Sequence, residues 1–411
     1  MSSPIVVVGA GLSAAKAVEQ LRESGYEGSI VVYGDELHLP YERPPLSKGY
    51  LTGNESLADA TVHDRHWYDQ HDVELRLGTS VTGIDRAEKI VHAPGGSQPY
   101  DKLLLATGAS PRNLAMAEQS GAPVTCLRTI EDSNRLRDSF AQGNRIAIVG
   151  GGWIGLEVAA AARTAGCEVT VLESLELPLL RVLGREVAQR FAALHREHGV
   201  DLRTGVQLAA VESHGDGALL RLADGGAVEA DLLVVGVGVV PNVRLAEEAG
   251  LDVDNGVLVD EQLGTSDPAV FAAGDMANAQ HPMLGRRLRV EHWDNAIGQG
   301  QAAARNMLGE GAAYERLPYF FTDQYDLGME YVGSIGPNGY DQLVLRDQAA
   351  EGAFTAFWLQ DGRVLAGMHA NDWDATDPIR QIVGTKPDLA ALTDRAVPLA
   401  EIGATSAGGR G

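Results

Sequence analysis

The sequence predicts an α/β fold in which two parallel-sheet domains precede a smaller, mainly antiparallel C-terminal domain. Stretches typical of strands and helices alternate over most of the 411 residues, which is the pattern of parallel sheets. The phrases "PIVVVGAGLSAAKAV" at 4–18 and "RIAIVGGGWIGLEVA" at 145–159 each indicate a strand, a glycine-rich turn and a helix. After about Pro318 the pattern changes to aromatic-rich alternation, with an Asp361-Gly362 hairpin signal.

The first domain opens with a strand at 5–8, passes through the turn 9–14 into a helix, and returns in the strand phrase "SIVVYGDE". A long segment containing "PYERPPLSKGYL" follows and ends at "KLLLATGASPR". Pro40, Pro44 and Pro45 exclude a regular helix in this segment, because proline lacks an N–H and restrains the residue before it. The segment must therefore be ordered by something other than secondary structure.

The second domain is predicted to interrupt the first. It carries the turn 150–155, a long helix and the strand "EVTVLES", and it ends around "ADLLVVGVGVVPN". Beyond it, a short strand that ends at Gly274 and Asp275 can lie beside the first sheet. The predicted boundaries are 1–111 and 241–318 for the first domain, 112–240 for the second, and 319–411 for the third. The end of the third, "GATSAGGRG", is predicted to be a flexible tail.

Composition and charge exclude several classes of protein. The formal net charge is −23, whereas binding to a nucleic-acid backbone needs clustered Lys and Arg. Cys126 and Cys167 are the only cysteines and fit neither a disulfide scaffold nor a metal site, so we expect no metal and a reducing cytoplasm. The N-terminus lacks the features of a secretory signal. The run "LLVVGVGVV" is too short to cross a membrane, for which roughly 20 residues are needed.

Both glycine turns have the spacing that a pyrophosphate requires. One glycine permits the bend, another lets the backbone approach the phosphates, and a third small residue allows the helix to pack closely. The phosphates then lie at the positive end of the helix. The residues at these positions are Gly9, Gly11 and Ala14 in the first turn and Gly150, Gly152 and Gly155 in the second.

An acidic residue follows each turn by some twenty-odd positions, where a ribose 2′-hydroxyl needs an acceptor. In the first domain Asp35 and Glu36 are both candidates, and in the second the candidate is Glu173. One glycine turn alone is weak evidence, but two that each lead to an acid predict two bound dinucleotides. Because Glu173 and Glu176 would repel a 2′-phosphate, and "LESLELP" holds no arginine, the second nucleotide is predicted to be NADH rather than NADPH.

Eight phrases stand in order along the chain: "VVVGAGLSAA", "PYERPPLSKGYL", "LLLATGASPR", "LRTIED", "IVGGGWIGLEVA", "VGVVPN", "GTSDPAVFAAGD" and "RVEHWDNAIGQG". Together they resemble the FAD-dependent NADH:ferredoxin reductases of oxygenase systems. The resemblance covers essentially the whole chain. It implies the glutathione-reductase fold, with two Rossmann-type dinucleotide-binding domains, the FAD domain in two segments and the NAD domain inserted, plus a C-terminal α+β domain.

The resemblance implies which residues bind FAD. Lys48 would lie near the reactive edge of the flavin, and Asp275 would accept hydrogen bonds from the ribityl chain. Trp293 would approach the isoalloxazine at a helix end whose positive charge can stabilise the reduced flavin. The complete set of candidates for FAD is Gly9, Gly11, Ser13, Ala14, Asp35, Glu36, Arg43, Pro45, Lys48, Val81, Arg128, Asp275 and Trp293.

Lys48 and Glu157 are the candidate catalytic residues. The family pairs the lysine of "PPLSK" with this glutamate beside flavin N5, and a carboxylate at position 157 would be unfavourable if buried alone. The alternative for Lys48 is a solvated surface lysine. Members often carry Trp where this chain has Phe321, which lacks the indole N–H. The candidates for NADH are Gly150, Gly152, Ile154, Gly155, Glu157 and Glu173.

The implied activity is that of an NADH-dependent flavoprotein reductase. FAD takes a hydride from NADH and passes single electrons to a [2Fe–2S] ferredoxin, which feeds a monooxygenase or a ring-hydroxylating dioxygenase. Disulfide reductases of this fold need a cysteine pair, whereas Cys126 and Cys167 are predicted to be ordinary buried residues. The alternatives are a rubredoxin reductase, an NADH oxidase, or a redox-sensing protein like apoptosis-inducing factor.

The net charge raises a question about the partner. Such ferredoxins are usually acidic, and like charges oppose encounter. Arg305, Arg380 and Lys386 are candidates for a basic docking site, and scattered solubilising charge is an equal alternative. The sequence does not identify the oxygenase, its organic substrate or the oligomeric state.

Overall fold

The computed structural model describes residues 3–348 and 352–402 and divides the chain into two compact units. The tail at 403–411, for which the sequence predicts flexibility, lies outside the described residues. The first unit comprises Met1–Pro45, Glu55–Ser110 and Val239–Arg316, and the second comprises Leu46–Asn54, Pro111–Gly238 and Leu317–Gly411.

The first unit is built on a five-stranded parallel sheet. The strands Ile5–Val8 and Ile30–Tyr33 are buried at every position, as expected for strands covered on both faces. The strand Val270–Ala272 pairs in parallel with Lys102–Leu105. In spatial order the strands are Val270–Ala272, Lys102–Leu105, Ile5–Val8, Ile30–Tyr33 and Val73–Arg76.

Two long helices, Leu12–Glu23 and Trp293–Met307, pack against each other in this unit. Shorter helices are Leu57–Ala60, Arg65–Gln70, Arg244–Glu248 and the 3₁₀ turn Gly274–Met276. Eight further strands form two three-stranded sheets and a ribbon. They are Gly83–Asp85, Ile90–Ala93 and Gly96–Pro99; Val257–Val259, Ala277–His281 and Arg286–Arg289; and Ala109–Pro111 with Val239–Pro241.

The second unit contains another five-stranded parallel sheet. Its strands, in spatial order, are Asp201–Thr204, Glu168–Glu173, Arg145–Val149, Leu232–Val235 and Val124–Thr125. The helices are Ala115–Glu118, Ile130–Ser139, Trp153–Thr164 and Leu180–Glu197, the last of which is kinked at Gly184. A three-stranded antiparallel sheet is formed by Leu208–His214, Gly217–Leu222 and Ala227–Ala230.

The C-terminal part of the second unit is an antiparallel sheet with two helices, Thr376–Ile382 and Leu389–Thr393. Trp358 and Phe357 are among its fully buried side chains. Asp361 and Gly362 both have positive φ, 50° and 73°, as a two-residue type I′ hairpin requires. The strands in spatial order are Tyr319–Gln324, Leu327–Gly333, Arg363–Ala370, Phe354–Gln360 and Gln342–Asp347.

The proline-rich segment contains more helix than the sequence predicts. Pro44–Ser47 forms a 3₁₀ turn and Gly49–Thr52 a single α-helical turn. The prolines are tolerated because they occupy the first turn, where an N–H has no intrahelical partner. Within the second unit the segment is held by the helix Ile130–Ser139, whose Ser133 hydroxyl donates to the Leu46 carbonyl at 2.8 Å.

Two parallel-sheet cores and an antiparallel C-terminal sheet confirm the predicted α/β class. The residue boundaries predicted for the domains stay a prediction. No helix within residues 3–348 and 352–402 combines the length and the apolar character needed to cross a membrane.

Candidate active site

The first glycine turn is shaped so that only glycine fits at its start. Gly9 has a φ of +111°, and a Cβ there would lie 2.1 Å from the carbonyl oxygen of Ala106. Gly11 then caps the helix Leu12–Glu23, and nothing lies within 4 Å of the place where its side chain would be. The turn therefore leaves open space in front of the helix N-terminus, where a pyrophosphate would bind.

Ser13 and Ala14 follow on the same helix and are both buried. The Ser13 hydroxyl has no hydrogen-bond partner among the described residues. A buried hydroxyl without a partner costs free energy, so a bound group that supplies one is expected. This orphaned oxygen, together with the open space at Gly11, shows that the first turn fits a dinucleotide.

The two candidate acids of the first unit have different surroundings. Asp35 is exposed, whereas Glu36 accepts hydrogen bonds from Tyr41 Oη at 2.6 Å and from Arg43 Nη2 at 2.8 Å. Burial would lower the pKa of the Arg43 guanidinium, but Tyr41 and Glu36 raise it above its usual value. Asp35 is therefore the more accessible of the two acids, whereas the Glu36 carboxylate is held in place by Tyr41 and Arg43.

The remaining candidates of the first unit occupy separate elements. Asp275 lies half-buried in the 3₁₀ turn Gly274–Met276 and acts electrostatically on Arg43. Trp293 is the first residue of the helix Trp293–Met307. Val81 is buried, and Pro45 lies in the 3₁₀ turn that begins at Pro44. Arg128 belongs instead to the second unit, just before the helix Ile130–Ser139.

The second glycine turn repeats the geometry of the first. Gly150 has a φ of +109°, and a Cβ there would lie 2.3 Å from the Gly236 carbonyl oxygen. At Gly155 a Cβ would lie 2.1 Å from the Gly150 carbonyl oxygen, so only glycine at this position lets the helix pack this close to the turn. Gly152 caps the helix Trp153–Thr164 with open space beside it, and Ile154 exposes 45% of its surface.

Glu173 reaches back to this second turn. Its Oε2 accepts a hydrogen bond from the Gly151 N–H at 2.7 Å, and its Oε1 accepts one from the Leu175 N–H at 2.8 Å. The carboxylate is thus fixed beside the open end of the turn, where a ribose would bind. One feature was missed by the sequence analysis: Arg185 pairs with Glu176, so an arginine does lie near this acidic segment.

Lys48 and Glu157 form a buried ion pair within the second unit. Lys48 Nζ lies 2.8 Å from Glu157 Oε2, and the glutamate side chain is only 3% exposed. Glu157 also accepts hydrogen bonds from the hydroxyls of Ser47, on Oε2, and Thr322, on Oε1 at 2.6 Å. These donors compensate for the desolvation that would make a lone buried carboxylate unfavourable.

Phe321 contributes an aromatic face to this pair. Lys48 Nζ lies 5.4 Å from the centroid of the Phe321 ring, within the range of a cation–π contact. The phenylalanine therefore keeps the attraction that an aromatic ring offers to a cation, without an indole N–H. Lys48 is 15% exposed at its side chain, so it is not the solvated surface lysine of the alternative interpretation.

Comparison with known proteins shows the family. Residues 3–300 match the pyridine nucleotide-disulphide oxidoreductase family, and residues 319–403 match a reductase C-terminal family. The chain belongs to the pyridine nucleotide-disulphide oxidoreductases. It is therefore an oxidoreductase of a family that uses FAD and NAD(H).

Two relatives and one solved structure match nearly the whole chain. The ferredoxin–NAD(+) reductase component of the anthranilate 1,2-dioxygenase system of Burkholderia cepacia is 40% identical, over 97% of this chain and 98% of that protein. Putidaredoxin reductase CamA of Pseudomonas putida is 38% identical, over 97% and 96%. The crystal structure of the covalent putidaredoxin reductase–putidaredoxin complex superposes with a TM-score of 0.94 at 36% identity, over 98% and 99%. The predicted resemblance is confirmed.

Despite the family's descriptive name, this oxidoreductase carries no cysteine pair. Cys126 and Cys167 are both free. Cys167 is buried as predicted, but the prediction for Cys126 is wrong, because that residue is only half-buried at the edge of the sheet strand Val124–Thr125. Burial raises the pKa of both thiols, and Asp132 raises that of Cys126 further, so neither is an activated thiolate.

Sequence reasoning missed the hydroxyl donors Ser47 and Thr322. Both adjoin residues that the sequence does single out: Ser47 precedes Lys48, and Thr322 follows Phe321. Their contact with one carboxylate depends on three segments far apart in sequence, and no local pattern reveals it. Among the described residues no group of three or more His, Cys, Asp or Glu is arranged to hold a metal ion.

Proposed function

We propose that this chain is a cytoplasmic NADH-dependent reductase for a [2Fe–2S] ferredoxin that feeds a monooxygenase or a ring-hydroxylating dioxygenase. The observation that carries the proposal is the buried ion pair between Lys48 and Glu157, which lies on the helix after the second glycine turn, in a chain whose two cysteines are isolated. Relatives of the same length are ferredoxin–NAD(+) and putidaredoxin reductases. Free thiols favour the cytoplasm, where thiols stay reduced.

Each nucleotide is assigned to one glycine turn. FAD would be held by the turn at Gly9 and Gly11, with Ser13, Ala14, Asp35, Glu36, Arg43, Pro45, Lys48, Val81, Arg128, Asp275 and Trp293. NADH would be held by the turn at Gly150 and Gly152, with Ile154, Gly155, Glu157 and Glu173. When bound, FAD supplies the chemistry by accepting a hydride and releasing its electrons one at a time. We assign residues 1–111 and 241–318 to the FAD domain, 112–240 to the NAD domain and 319–411 to the C-terminal domain.

The protein contributes binding and electrostatics rather than proton transfer. Hydride transfer needs no protein acid, so Lys48 acts as a fixed positive charge and Glu157 as the anion that fixes it. Glu173 accepts a hydrogen bond from the adenine-side ribose and disfavours a 2′-phosphate, which makes NADH the preferred coenzyme. With both cysteines isolated, the chain supplies no thiol relay between a bound flavin and the external acceptor.

Three basic residues are proposed for docking an acidic ferredoxin. Arg305 lies 3.3 Å from Glu310, and Arg380 lies 3.7 Å from Asp377 and over the ring of Tyr319. Lys386 is exposed. Because acidic neighbours offset the first two, charge reversal at Lys386 should weaken ferredoxin-dependent turnover most, and unchanged kinetics would remove it from the docking site.

The function is tested by the choice of electron acceptor. Purified protein reconstituted with FAD is given NADH, and reduction of cytochrome c is followed with and without a [2Fe–2S] ferredoxin. We expect reduction to depend strongly on the ferredoxin. Equal rates without it, with consumption of O₂, would identify an NADH oxidase instead, and dependence on rubredoxin would identify a rubredoxin reductase.

A further inference from the structure

A row of buried polar side chains leads away from Glu157 within the second unit. Thr322 and Gln324 stand two positions apart on the strand Tyr319–Gln324, so both side chains point to the same face. His195 comes from the helix Leu180–Glu197. These three side chains are essentially inaccessible, at 0%, 1% and 0% exposure. Polar groups buried so completely must satisfy one another.

The contacts form an unbroken chain of hydrogen bonds. Thr322 Oγ1 lies 2.6 Å from Glu157 Oε1, and Gln324 Nε2 lies 3.1 Å from Thr322 Oγ1. His195 Nε2 lies 2.8 Å from Gln324 Oε1. The carboxylate can only accept, so Thr322 donates to it and must itself accept from the Gln324 amide N–H. The Gln324 oxygen is then left to accept from His195 Nε2–H.

A neutral histidine, His195, lies at the end of the hydrogen-bond row that is farther from Glu157. Burial lowers the pKa of His195 to about 4, so the ring keeps one N–H and one lone pair at neutral pH. With Nε2 donating, Nδ1 carries the lone pair, and Nδ1 lies 3.4 Å from Tyr325 Oη. Tyr325 is half-buried and stacks on His198 with centroids 3.7 Å apart. All the donors therefore point one way, from Tyr325 toward Glu157.

We propose that Thr322, Gln324 and His195 are positioning residues that fix the orientation of the Glu157 carboxylate and, through it, the Lys48 ammonium. With Oε1 held by Thr322, Oε2 faces Lys48 and Ser47. Without that bond only the contacts of Oε2 hold the carboxylate, so it can turn about them and Lys48 loses a partner of fixed orientation. Hydrogen bonds in such a row polarise one another, so each link strengthens the next. The inference rests on the proposed function, in which this ion pair serves hydride transfer.

A matched pair of variants at position 322 provides the kinetic test. Thr322→Val keeps the shape and removes the donor, whereas Thr322→Ser keeps the hydroxyl. Bleaching of bound FAD by NADH is measured by stopped flow. We expect Thr322→Val to lower the limiting rate about tenfold, the order of one hydrogen bond to a charged group, with little change in NADH affinity. Thr322→Ser should restore the rate to within about twofold, and Gln324→Leu should fall between the two variants.

A second measurement is independent of any turnover. Nitrogen-15 NMR of histidine-labelled protein, with His195 assigned by its Gln variant, should show a neutral Nε2–H ring at pH 7. In Gln324→Leu this single tautomer should give way to exchange between the two. A charged His195 or an Nδ1–H ring would overturn the proposed row of hydrogen bonds, even if the Thr322→Val protein failed to fold.

The outcomes separate this inference from the proposed function. If the flavin of Thr322→Val and that of Thr322→Ser are bleached at the same rate, the positioning role is wrong, whether or not ferredoxin is reduced. If the bleaching rates of Thr322→Val and Thr322→Ser differ but ferredoxin receives no electrons, the positioning role stands and the proposed partner is wrong.

Discussion

The two glycine turns share one backbone conformation and differ in the side chains of the helix beyond it. In each, the first glycine donates to the neighbouring strand, Gly9 to Tyr33 at 2.8 Å and Gly150 to Leu172 at 2.9 Å. Both glycines have φ near +110°, and both would collide with a carbonyl oxygen if they carried a Cβ. The backbone geometry that would hold a pyrophosphate is therefore the same in both turns, and it does not distinguish the role of one nucleotide from that of the other.

The difference appears seven residues after the first glycine of each turn. Position 16 is a lysine that pairs with Glu19 at 2.7 Å near the surface, where both side chains are at least 20% exposed. The equivalent position 157 is a glutamate buried to 3% and paired with Lys48. Solvent therefore screens the first pair more than the second, whose carboxylate is almost inaccessible. The two turns therefore differ in the side chain beyond the turn and in its burial, and under the proposed function the buried pair is the one that serves hydride transfer.

The largest expected effect is at the glycines themselves. Gly9→Ala should abolish FAD binding and give colourless protein, because a positive φ and a carbonyl contact near 2 Å leave no room for a methyl group. Gly150→Ala should keep its flavin but lose bleaching by NADH at any practical concentration. Absorbance spectra and NADH titration measure both. Dithionite bleaching is the control for Gly150→Ala, and a colourless Gly150→Ala protein would break the assignment of one nucleotide to each turn.

The next largest effect is a difference in stability and flavin bleaching between substitutions in the two lysine–glutamate pairs. Lys48→Met should lower the free energy of unfolding by about 3 kcal/mol, because Glu157 is left buried without its cation, and should slow flavin bleaching by NADH. Lys16→Met, the control at the surface pair, should change stability by less than about 0.5 kcal/mol and leave bleaching unchanged. Urea unfolding and stopped flow measure these values. Equal effects of the two substitutions would contradict the comparison.

A third prediction uses the histidines near each pair. His195 has its pKa lowered from 6.5 to about 4, so below pH 6.5 the unfolded chain binds a proton that the folded protein resists. Stability is thus lost as pH falls from 6.5 toward 4, by up to about 3 kcal/mol at 1.36 kcal/mol per pKa unit. His195→Gln should flatten this slope, measured by urea unfolding at several pH values. His63 lies beside Glu19 in the first unit, and His63→Gln should leave the slope of stability against pH unchanged.

The smallest effect concerns the coenzyme. Leu172 and Tyr33 are equivalent in the two parallel sheets, since each pairs with the last residue of the strand before the glycine turn. The residue after Leu172 is Glu173, whereas the residue after Tyr33 is Gly34. Glu173→Gln should reduce the preference for NADH over NADPH about tenfold, the order of one charge repulsion near a surface. Glu176→Gln is the control, since Arg185 already pairs with that carboxylate. Steady-state kinetics with both coenzymes that favour NADPH in the wild-type chain would overturn the assignment.

Much of the fold and part of the site were predictable from local pattern. The strand, turn and helix phrases predict both parallel sheets, and Asp361-Gly362 predicts a hairpin, because these features depend on residues adjacent in sequence. The pairing of Lys48 with Glu157 came from family resemblance and not from spacing. Ser47, Thr322, Gln324 and His195 were missed, since the contacts that link them join segments separated by more than 100 residues.

By itself, the sequence determined two glycine turns, the acids that follow them and the absence of a cysteine pair, because glycine conformation and residue composition are local properties. Only the tertiary structure decided that Glu157 is buried, that Asp35 is exposed while Glu36 is engaged by Arg43, and that Cys126 is only half-covered. Burial depends on which distant segments pack over a side chain, and it sets whether a charge is screened by water or must be held by partners.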